Sequence, residues 1–190
     1  MSTKYQICVS GSAKGQTVEQ GKELASAIGK SLAKAGHSLL TGATSGLPEY
    51  AALAYKKAGG AASLGISPAA TKVEHVLKYR LPTGCFDLIL YTGLHYVGRD
   101  ALLINSADAV ISIGGRLGTL HEFTIAMETH TPIAFLEGAG GISDEIIKLV
   151  DTLPNIDPEF VIFEKDPDIL VGKLIKLLDK LHKPYHKIYE

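Results

Sequence analysis

The chain has 190 residues, of which 46% are hydrophobic, a size and composition typical of a single globular domain with a substantial apolar core. Nineteen lysines and arginines oppose twenty aspartates and glutamates, so the formal net charge of -1 excludes a global attraction to nucleic acid or to an anionic membrane surface. Only two cysteines occur and no apolar run approaches the roughly 18 residues of a membrane span, which predicts a cytoplasmic protein with neither a disulfide framework nor a membrane partner.

Strand patterns and helix patterns alternate from the N-terminus onward. The predicted strands comprise residues 5–11, 37–42, 61–67, 86–93, 108–115, 132–138 and 159–165. The predicted helices comprise residues 17–36, 45–60, 97–107, 119–128, 143–153 and 166–181, and an irregular segment at 68–85 has room for one short helix.

The strands are continuous apolar runs, which is typical of a parallel sheet covered by helices on both faces. The sequence therefore predicts a doubly wound, mainly parallel α/β sheet of about seven strands with a Rossmann-like architecture. Because no linker, composition shift or repeat divides the chain, residues 1–190 are predicted to form a single nucleotide-binding domain. Residues 182–190 are predicted to form a surface tail or a partner contact.

Glycines occur in four of the predicted strand-to-helix loops, at residues 11–15, 42–46, 93–98 and 114–118. In a doubly wound sheet these loops surround the ligand site, where glycine allows close approach of the backbone and a helix N-terminus offers N–H donors to an anion. For a single such loop, the sterics of a tight turn are the favoured explanation. Taken together, the loops predict these phosphate- or ligand-binding residues: Gly11, Ser12, Gly42, Gly46, Gly114, Gly115, Arg116, Gly118 and Thr119.

Several common site motifs are not present in usable form. The Gly-Lys-Ser at 29–31 lies in the middle of a predicted helix and lacks the upstream glycine of a P-loop, and no G-x-G-x-x-G follows the first strand. The serine at 42–46 stands one place too late for a hydrolase nucleophile elbow. The seven histidines show no metal-ligand spacing, so the sequence predicts no metal site and no resident cofactor.

The stretch GGRLGTLHE at 114–122 resembles the PGGxGTxxE signature of the Lonely Guy, or lysine-decarboxylase-like, family. This Rossmann-like group includes cytokinin-activating phosphoribohydrolases and molybdenum-cofactor carrier proteins, and the resemblance covers roughly residues 5–153. In an ungapped match Glu122 takes the place of the signature glutamate, and Arg99 falls on the arginine of the family's Arg-Lys pair. The chain departs from the signature at Gly114, Arg116 and Asp100, which replace the proline, the second glycine and the lysine. The stretch GGISDEI at 140–146 is similar to the carrier-like branch.

The resemblance implies a phosphoribohydrolase that cleaves the N-glycosidic bond of a nucleoside 5′-monophosphate. Glu122 would stabilise the oxocarbenium-like state or activate water, while Arg99 would pair with the phosphate or orient Glu122. The alternative is a carrier or sensor that binds a nucleotide or a phosphorylated pterin, such as the molybdenum cofactor, without turnover. Arg99 and Glu122 favour the enzyme, whereas Asp100 and the altered glycines favour binding alone. The family also implies a homodimer or a larger homo-oligomer.

Glu122 also has a purely structural interpretation, because Thr119-x-x-Glu122 matches a capping box. By spacing alone, capping is favoured over catalysis, and the family resemblance reverses that order. Arg99 has a similar alternative as a solvated residue at a helix start, and Asp100 as a first-turn acid that favours the helix dipole. The spacing also predicts no dyad between His121 and Glu122, because adjacent residues of a helix do not face each other.

Overall fold

The computed structural model describes residues 4–154 and 156–185. These residues form the strands β1 (Gln6–Gly11), β2 (Ser38–Thr41), β3 (Ser63–Ser67), β4 (Leu88–Tyr91), β5 (Ala109–Ile113), β6 (Ile133–Leu136) and β7 (Val161–Glu164). They also form the helices α1 (Gln16–Ala35), α2 (Leu47–Lys57), α3 (Lys72–Leu77), α4 (His95–Asn105), α5 (Leu117–Glu128), α6 (Ser143–Thr152) and α7 (Pro167–His182). Of the predicted surface tail, residues 186–190 lie outside the described residues.

The strands form one parallel sheet in the order β4-β3-β2-β1-β5-β6-β7, which confirms the predicted doubly wound architecture. The chain builds the sheet outward from β1 to β4, then returns to pair β5 with the other side of β1. In that pairing Ser10 is level with Ser112 and Gly11 with Ile113. The carboxyl ends of β1 and β5 therefore flank the point at which the strand order reverses, where ligands bind in this class of fold.

Alternate residues of β1, the central strand, pack into two cores on opposite faces of the sheet. Ile7 and Val9 pack into the core that α1, α2 and α7 cover, while Cys8 packs into the core that α4, α5 and α6 cover. All three side chains are fully buried. This two-sided burial explains why the strands read as uninterrupted apolar runs in the sequence.

Two helices begin earlier than the sequence predicts, and both shifts affect the candidate site. Helix α4 begins at His95 instead of residue 97, so Asp100 is in the second turn and the prediction of a first-turn acid is wrong. Helix α5 begins at Leu117 instead of Thr119, with Arg116 as the N-cap residue. Thr119 is therefore inside the helix and cannot act as its N-cap.

Helices α1 and α2 approach so closely that one position between them accepts only glycine. A Cβ atom added to Gly29 would lie 2.1 Å from the Ala51 carbonyl oxygen and 3.0 Å from the Tyr55 amide nitrogen. Both obstructing atoms belong to the backbone, which cannot rotate away as a side chain would. Helix packing at Gly29 thus fixes α1 against α2 and, with them, the loops that precede both helices.

We expect Gly29→Ala to lower the free energy of unfolding by about 1–3 kcal/mol, because the added methyl group overpacks the α1–α2 contact. The matched control is Gly172→Ala in α7, where an added Cβ meets no atom within 4 Å. That control should be neutral or stabilise the protein by up to about 1 kcal/mol, since alanine is the better helix former. Urea denaturation of both variants checks the prediction, and equal stabilities would contradict it.

Candidate functional site

An open cavity of about 370 Å³ lies above the carboxyl ends of β1, β2 and β5. Its volume falls within the range typical of small-molecule sites. The lining residues come from the end of β1, from the loops after β1, β2 and β5, and from helices α2, α4 and α5: Ser10, Gly11, Ser12, Ala13, Lys14, Gly42, Thr44, Pro48, Tyr96, Arg99, Asp100, Gly115, Arg116, Gly118, Thr119 and Glu122. The cavity therefore occupies the point where the strand order reverses.

Most of the site residues predicted from the sequence meet at this cavity. In the part of the chain that the structure describes, the lining contains every predicted residue except Gly46 and Gly114. A side chain at either position would collide with a neighbouring loop or helix. A Cβ on Gly46 would lie 2.4 Å from the Ser12 carbonyl oxygen, and a Cβ on Gly114 would lie 2.5 Å from Cγ2 of Thr17. Gly46 and Gly114 are thus positioned to shape the loops instead of contacting a ligand.

One end of the cavity combines the features of an anion site. Helices α1 and α5 both begin at its edge, with Gly15 and Arg116 as N-cap residues that provide no side-chain cap. The Arg116 guanidinium reaches across to α1, since a Cβ on Gly15 would lie 2.9 Å from Arg116 Nη2. Lys14 also lines the cavity. Two helix N-termini and two cations give this edge a local positive potential in a chain of net charge -1.

The glycine turn before α5 is locked from two sides. The Gly115 N–H donates a hydrogen bond of 2.8 Å to Ser12 Oγ. Gly115 has φ of 98°, and a Cβ there would lie 1.9 Å from Thr119 Oγ1. The Gly115 N–H is therefore occupied within the protein, whereas the first-turn N–H groups of α5 have no intrahelical acceptor.

Gly118 differs from the glycines of the turn because nothing in the described protein crowds it. A Cβ added there meets no atom within 4 Å, although the residue lines the cavity. Its backbone N–H is in the first turn of α5, where no intrahelical acceptor exists. The space beside Gly118 is accordingly open to a ligand.

Glu122 lies at the floor of the cavity and does not form a capping box. Its side chain is buried, and its carboxylate accepts a short hydrogen bond from Ser10 Oγ across the β1–β5 junction. Burial raises the pKa of the Glu122 carboxyl from 4.5 to about 7, against the opposing effects of the Ser10 hydrogen bond and the Arg99 charge. The capping prediction is wrong because α5 begins two residues earlier than its pattern suggests.

Arg99 is buried, so its interpretation as a solvated helix-start residue is also wrong. Its Nη1 atom is 3.3 Å from Asp100 Oδ1, and Gly42 makes room for the guanidinium: a Cβ on Gly42 would lie 2.0 Å from Nη1. The other Asp100 oxygen lies 3.2 Å from His121 Nδ1. Arg99 and Asp100 thus form a buried ion pair beside Glu122, and His121 contacts it from α5.

Sequence reasoning missed four of these participants, namely Ser10, Lys14, Tyr96 and the Asp100–His121 contact. Ser10 directly precedes Gly11 at the end of an apolar strand, a position from which a polar side chain can face the crevice of a doubly wound sheet. Tyr96 precedes Arg99 by three residues, the spacing of one helix face. The contact between Asp100 and His121 joins two helices and leaves no signal in local spacing.

Other site classes receive no structural support in the described segments. Among the described side chains, those of residues 4–143, 145–154 and 156–185, no group of three histidines, cysteines, aspartates or glutamates could hold a metal ion. Over the same residues, no helix has the length and apolar character needed to cross a membrane.

We expect the buried Glu122 carboxyl to make stability fall as pH rises from 4.5 to 8. Between pH 4.5 and about 7 the native protein retains a proton that the unfolded chain has released, so the free energy of unfolding decreases by up to about 3 kcal/mol. Glu122→Gln should remove this contribution. The stability difference between Glu122→Gln and wild type, measured in urea, should therefore grow in favour of the variant across this pH range.

Glu23→Gln, at an exposed position of α1, controls for the loss of a carboxylate. A stability difference between Glu122→Gln and wild type that stays constant with pH would contradict a protonated native carboxyl.

The comparisons with known proteins place the chain in one family. The model of the SLOG cluster 4 family matches residues 4–168. An uncharacterized protein of Archaeoglobus fulgidus is 30% identical over 123 residues, which are 65% of this chain and 75% of that relative.

Two solved structures are similar over nearly the whole length. The Moco carrier protein of Chlamydomonas reinhardtii is 25% identical, with a TM-score of 0.76 over 94% of this chain and 99% of its own. The molybdenum cofactor binding protein of Rippkaea orientalis is 26% identical, with a TM-score of 0.71 over 94% of this chain and 98% of its own. The chain belongs to the SLOG cluster 4 family, in the Rossmann-like group that its glycine signature indicated.

Proposed function

We propose that the protein binds a small phosphorylated heterocycle, and that its cargo is a phosphorylated pterin of the molybdenum-cofactor class. The proposal rests on one observation: the same cavity has a cationic edge and a floor that holds an ion pair and a carboxyl group. Lys14 and Arg116 lie at the edge, while Arg99, Asp100 and Glu122 lie at the floor. The near full-length similarity to two molybdenum-cofactor proteins favours a pterin as the heterocycle.

The phosphoryl group is placed at the N-terminus of α5. The first-turn N–H groups, from Leu117 to Thr119, have no intrahelical acceptor, and the helix dipole adds to the attraction for an anion. Arg116 and Lys14 neutralise the remaining charge from the cavity edge. Charge-assisted hydrogen bonds of this kind contribute about 1.5–3 kcal/mol each, enough to anchor a small ligand by its phosphate.

The heterocycle faces the floor of the cavity. The Arg99 charge is already balanced by Asp100, so the floor does not compete with the edge for the phosphate. Glu122, with a carboxyl pKa of about 7, is present in both protonation states near neutral pH. It can therefore donate or accept a hydrogen bond, which suits the mixed donor and acceptor edge of a pterin ring.

Hydrolysis of a nucleoside 5′-monophosphate is the second candidate, and the position of Glu122 favours it. The carboxyl lines the cavity and has no capping role in α5. In this reaction the bond from C1′ to the base nitrogen breaks, water adds to C1′, and the base leaves with a proton. An ionised Glu122 would stabilise the positive charge on the sugar and receive the proton of the attacking water.

For the binding proposal we expect Gly118→Ala to reduce ligand binding at least tenfold without loss of stability. Gly118 lines the cavity and the added methyl group has no protein neighbour within 4 Å, so it adds bulk beside the proposed phosphate position without a clash inside the protein. The protein is incubated anaerobically with molybdenum cofactor released from a molybdoenzyme, and molybdenum is measured in the protein fraction after gel filtration. Gly172→Ala is the matched control, and equal molybdenum loading of Gly118→Ala and wild type would rule out this phosphate position.

Turnover is tested with a panel of nucleoside 5′-monophosphates, following release of ribose 5-phosphate. If the protein is a hydrolase, Glu122→Gln should lower kcat by at least a hundredfold and leave nucleotide binding nearly unchanged, because the carboxylate acts mainly in the transition state. The rate of the wild type should rise with pH through about 7 as Glu122 ionises. No release from any nucleotide would eliminate the hydrolase, and unchanged hydrolysis by Glu122→Gln would remove the residue from the chemistry.

A further inference from the structure

An aromatic cluster stands at the outer rim of the cavity, at the start of α4. We call Tyr79, His95 and Tyr96 the aromatic rim. Tyr96 lines the cavity directly, yet 46% of its surface is exposed. Tyr96 is thus a lining residue that keeps a substantial exposed surface.

Tyr96 belongs to the helix face that builds one wall of the site. Tyr96, Arg99 and Asp100 follow the i, i+3, i+4 spacing and all three line the cavity. Exposure falls from 46% at Tyr96 to 4% at Arg99 and 7% at Asp100, so the wall runs from the mouth to the floor. The next residue, Val97, is 71% exposed and is not among the lining residues. The aromatic side chain, and not its apolar neighbour, faces the ligand space.

The structure holds the Tyr96 ring in place before any ligand arrives. The Tyr79 ring meets it edge-on, with 5.6 Å between centroids and an interplanar angle of 78°. Tyr79 is itself fixed by a hydrogen bond of 2.7 Å between its hydroxyl and His95 Nδ1. Arg99 Cζ lies 5.9 Å from the Tyr96 ring centroid on the floor side. A ring restrained in this way loses little conformational entropy when a ligand packs against it.

The backbone at the start of α4 supports the same arrangement. His95 has φ of 54°, a left-handed conformation that is uncommon for residues other than glycine. Its side chain contacts Tyr79 from this position. A residue keeps a strained conformation where several surrounding contacts hold it. Here that residue is His95, which contacts Tyr79, and Tyr79 in turn restrains Tyr96.

We infer that Tyr96 determines specificity for the heterocycle by forming an aromatic wall against which its planar ring packs. The inference rests on the proposed function for the phosphate end of the ligand. With the phosphoryl group at the α5 N-terminus, the remainder of the ligand extends across a cavity whose other wall includes Thr44 and Pro48. Stacking of a base on an aromatic residue tolerates different ring systems, because each presents a π face. Tyr96 thus selects for a planar ring, while the phosphate edge selects for the anion.

The test compares ligands that share a phosphate and differ in the ring. AMP and 6-hydroxymethylpterin phosphate carry a planar heterocycle, whereas ribose 5-phosphate does not, and Kd for each is measured by calorimetry. Wild type should bind at least one ring-bearing probe tenfold or more tightly than ribose 5-phosphate. Tyr96→Ala should weaken that ring-bearing probe at least fivefold and leave Kd for ribose 5-phosphate unchanged. Tyr96→Phe should retain the ring preference.

Val97→Ala, on the same helix and outside the cavity lining, is the matched control and should bind all probes like wild type. Gly118→Ala should weaken all three probes together, because it acts on the shared phosphate. Thermal melting confirms that each variant is folded.

Three outcomes would overturn the inference. Equal affinity of wild type for ribose 5-phosphate and both ring-bearing probes would exclude a ring contact while leaving the phosphate site intact. Parallel weakening of all probes in Tyr96→Ala would show that the residue supports the loop and not the ring. Failure of wild type to bind any probe would instead refute the proposed function, and the aromatic wall with it.

Discussion

The pairing of β5 with β1 is the constraint on which the rest of the site depends. It reverses the strand order at the centre of the sheet, so the chain leaves β1 and β5 toward opposite faces and the helices that follow diverge above the junction. The gap between them is the cavity. The same pairing places Ser10 on β1 within hydrogen-bonding distance of Glu122 on α5. It also brings Ser12 to the Gly115 N–H, which locks the glycine turn. A register shift of one residue would separate both pairs.

The cavity has two regions that differ in charge, its edge and its floor. The chain as a whole is nearly neutral, so the α1 and α5 N-termini, Lys14 and Arg116 give the edge of the cavity a local positive charge. At the floor the Arg99–Asp100 ion pair is internally balanced. Asp100 stands where the family signature has a lysine, and this exchange of charge removes a cation that could hold a phosphate at the floor. Under the proposed function, this exchange is consistent with a phosphate at the edge and a ring over the floor.

The same short pattern has two different outcomes in this chain, which shows where local reasoning fails. Thr71-x-x-Glu74 caps α3: the N-cap Thr71 Oγ1 accepts from the Glu74 N–H, and the Glu74 carboxylate accepts from the N–H of Ala70, the residue before the cap. Thr119-x-x-Glu122 has the same spacing, yet Glu122 turns inward to Ser10. Glu74 lies in the first turn of α3, directly after its cap, whereas α5 begins two residues before Thr119, so Thr119 is not its N-cap and Glu122 faces the cavity.

The sequence by itself determined the order and type of the main elements, the parallel doubly wound sheet and the loops that would surround the cavity. These features depend on apolar periodicity and on glycine placement, which are local properties of the chain. The glycine signature at 114–122 also identified the family.

Only the tertiary structure decided which residues face one another: the Ser10 bond to Glu122, the burial of Arg99 beneath Gly42, the Asp100–His121 contact and the position of Tyr96. Each of these contacts joins segments distant in sequence, and helix starts that differ from the predicted ones by two residues exclude a first-turn position for Asp100 and an N-cap role for Thr119. Burial, which raises the pKa of the Glu122 carboxyl to about 7, exists only once the sheet and helices have enclosed it.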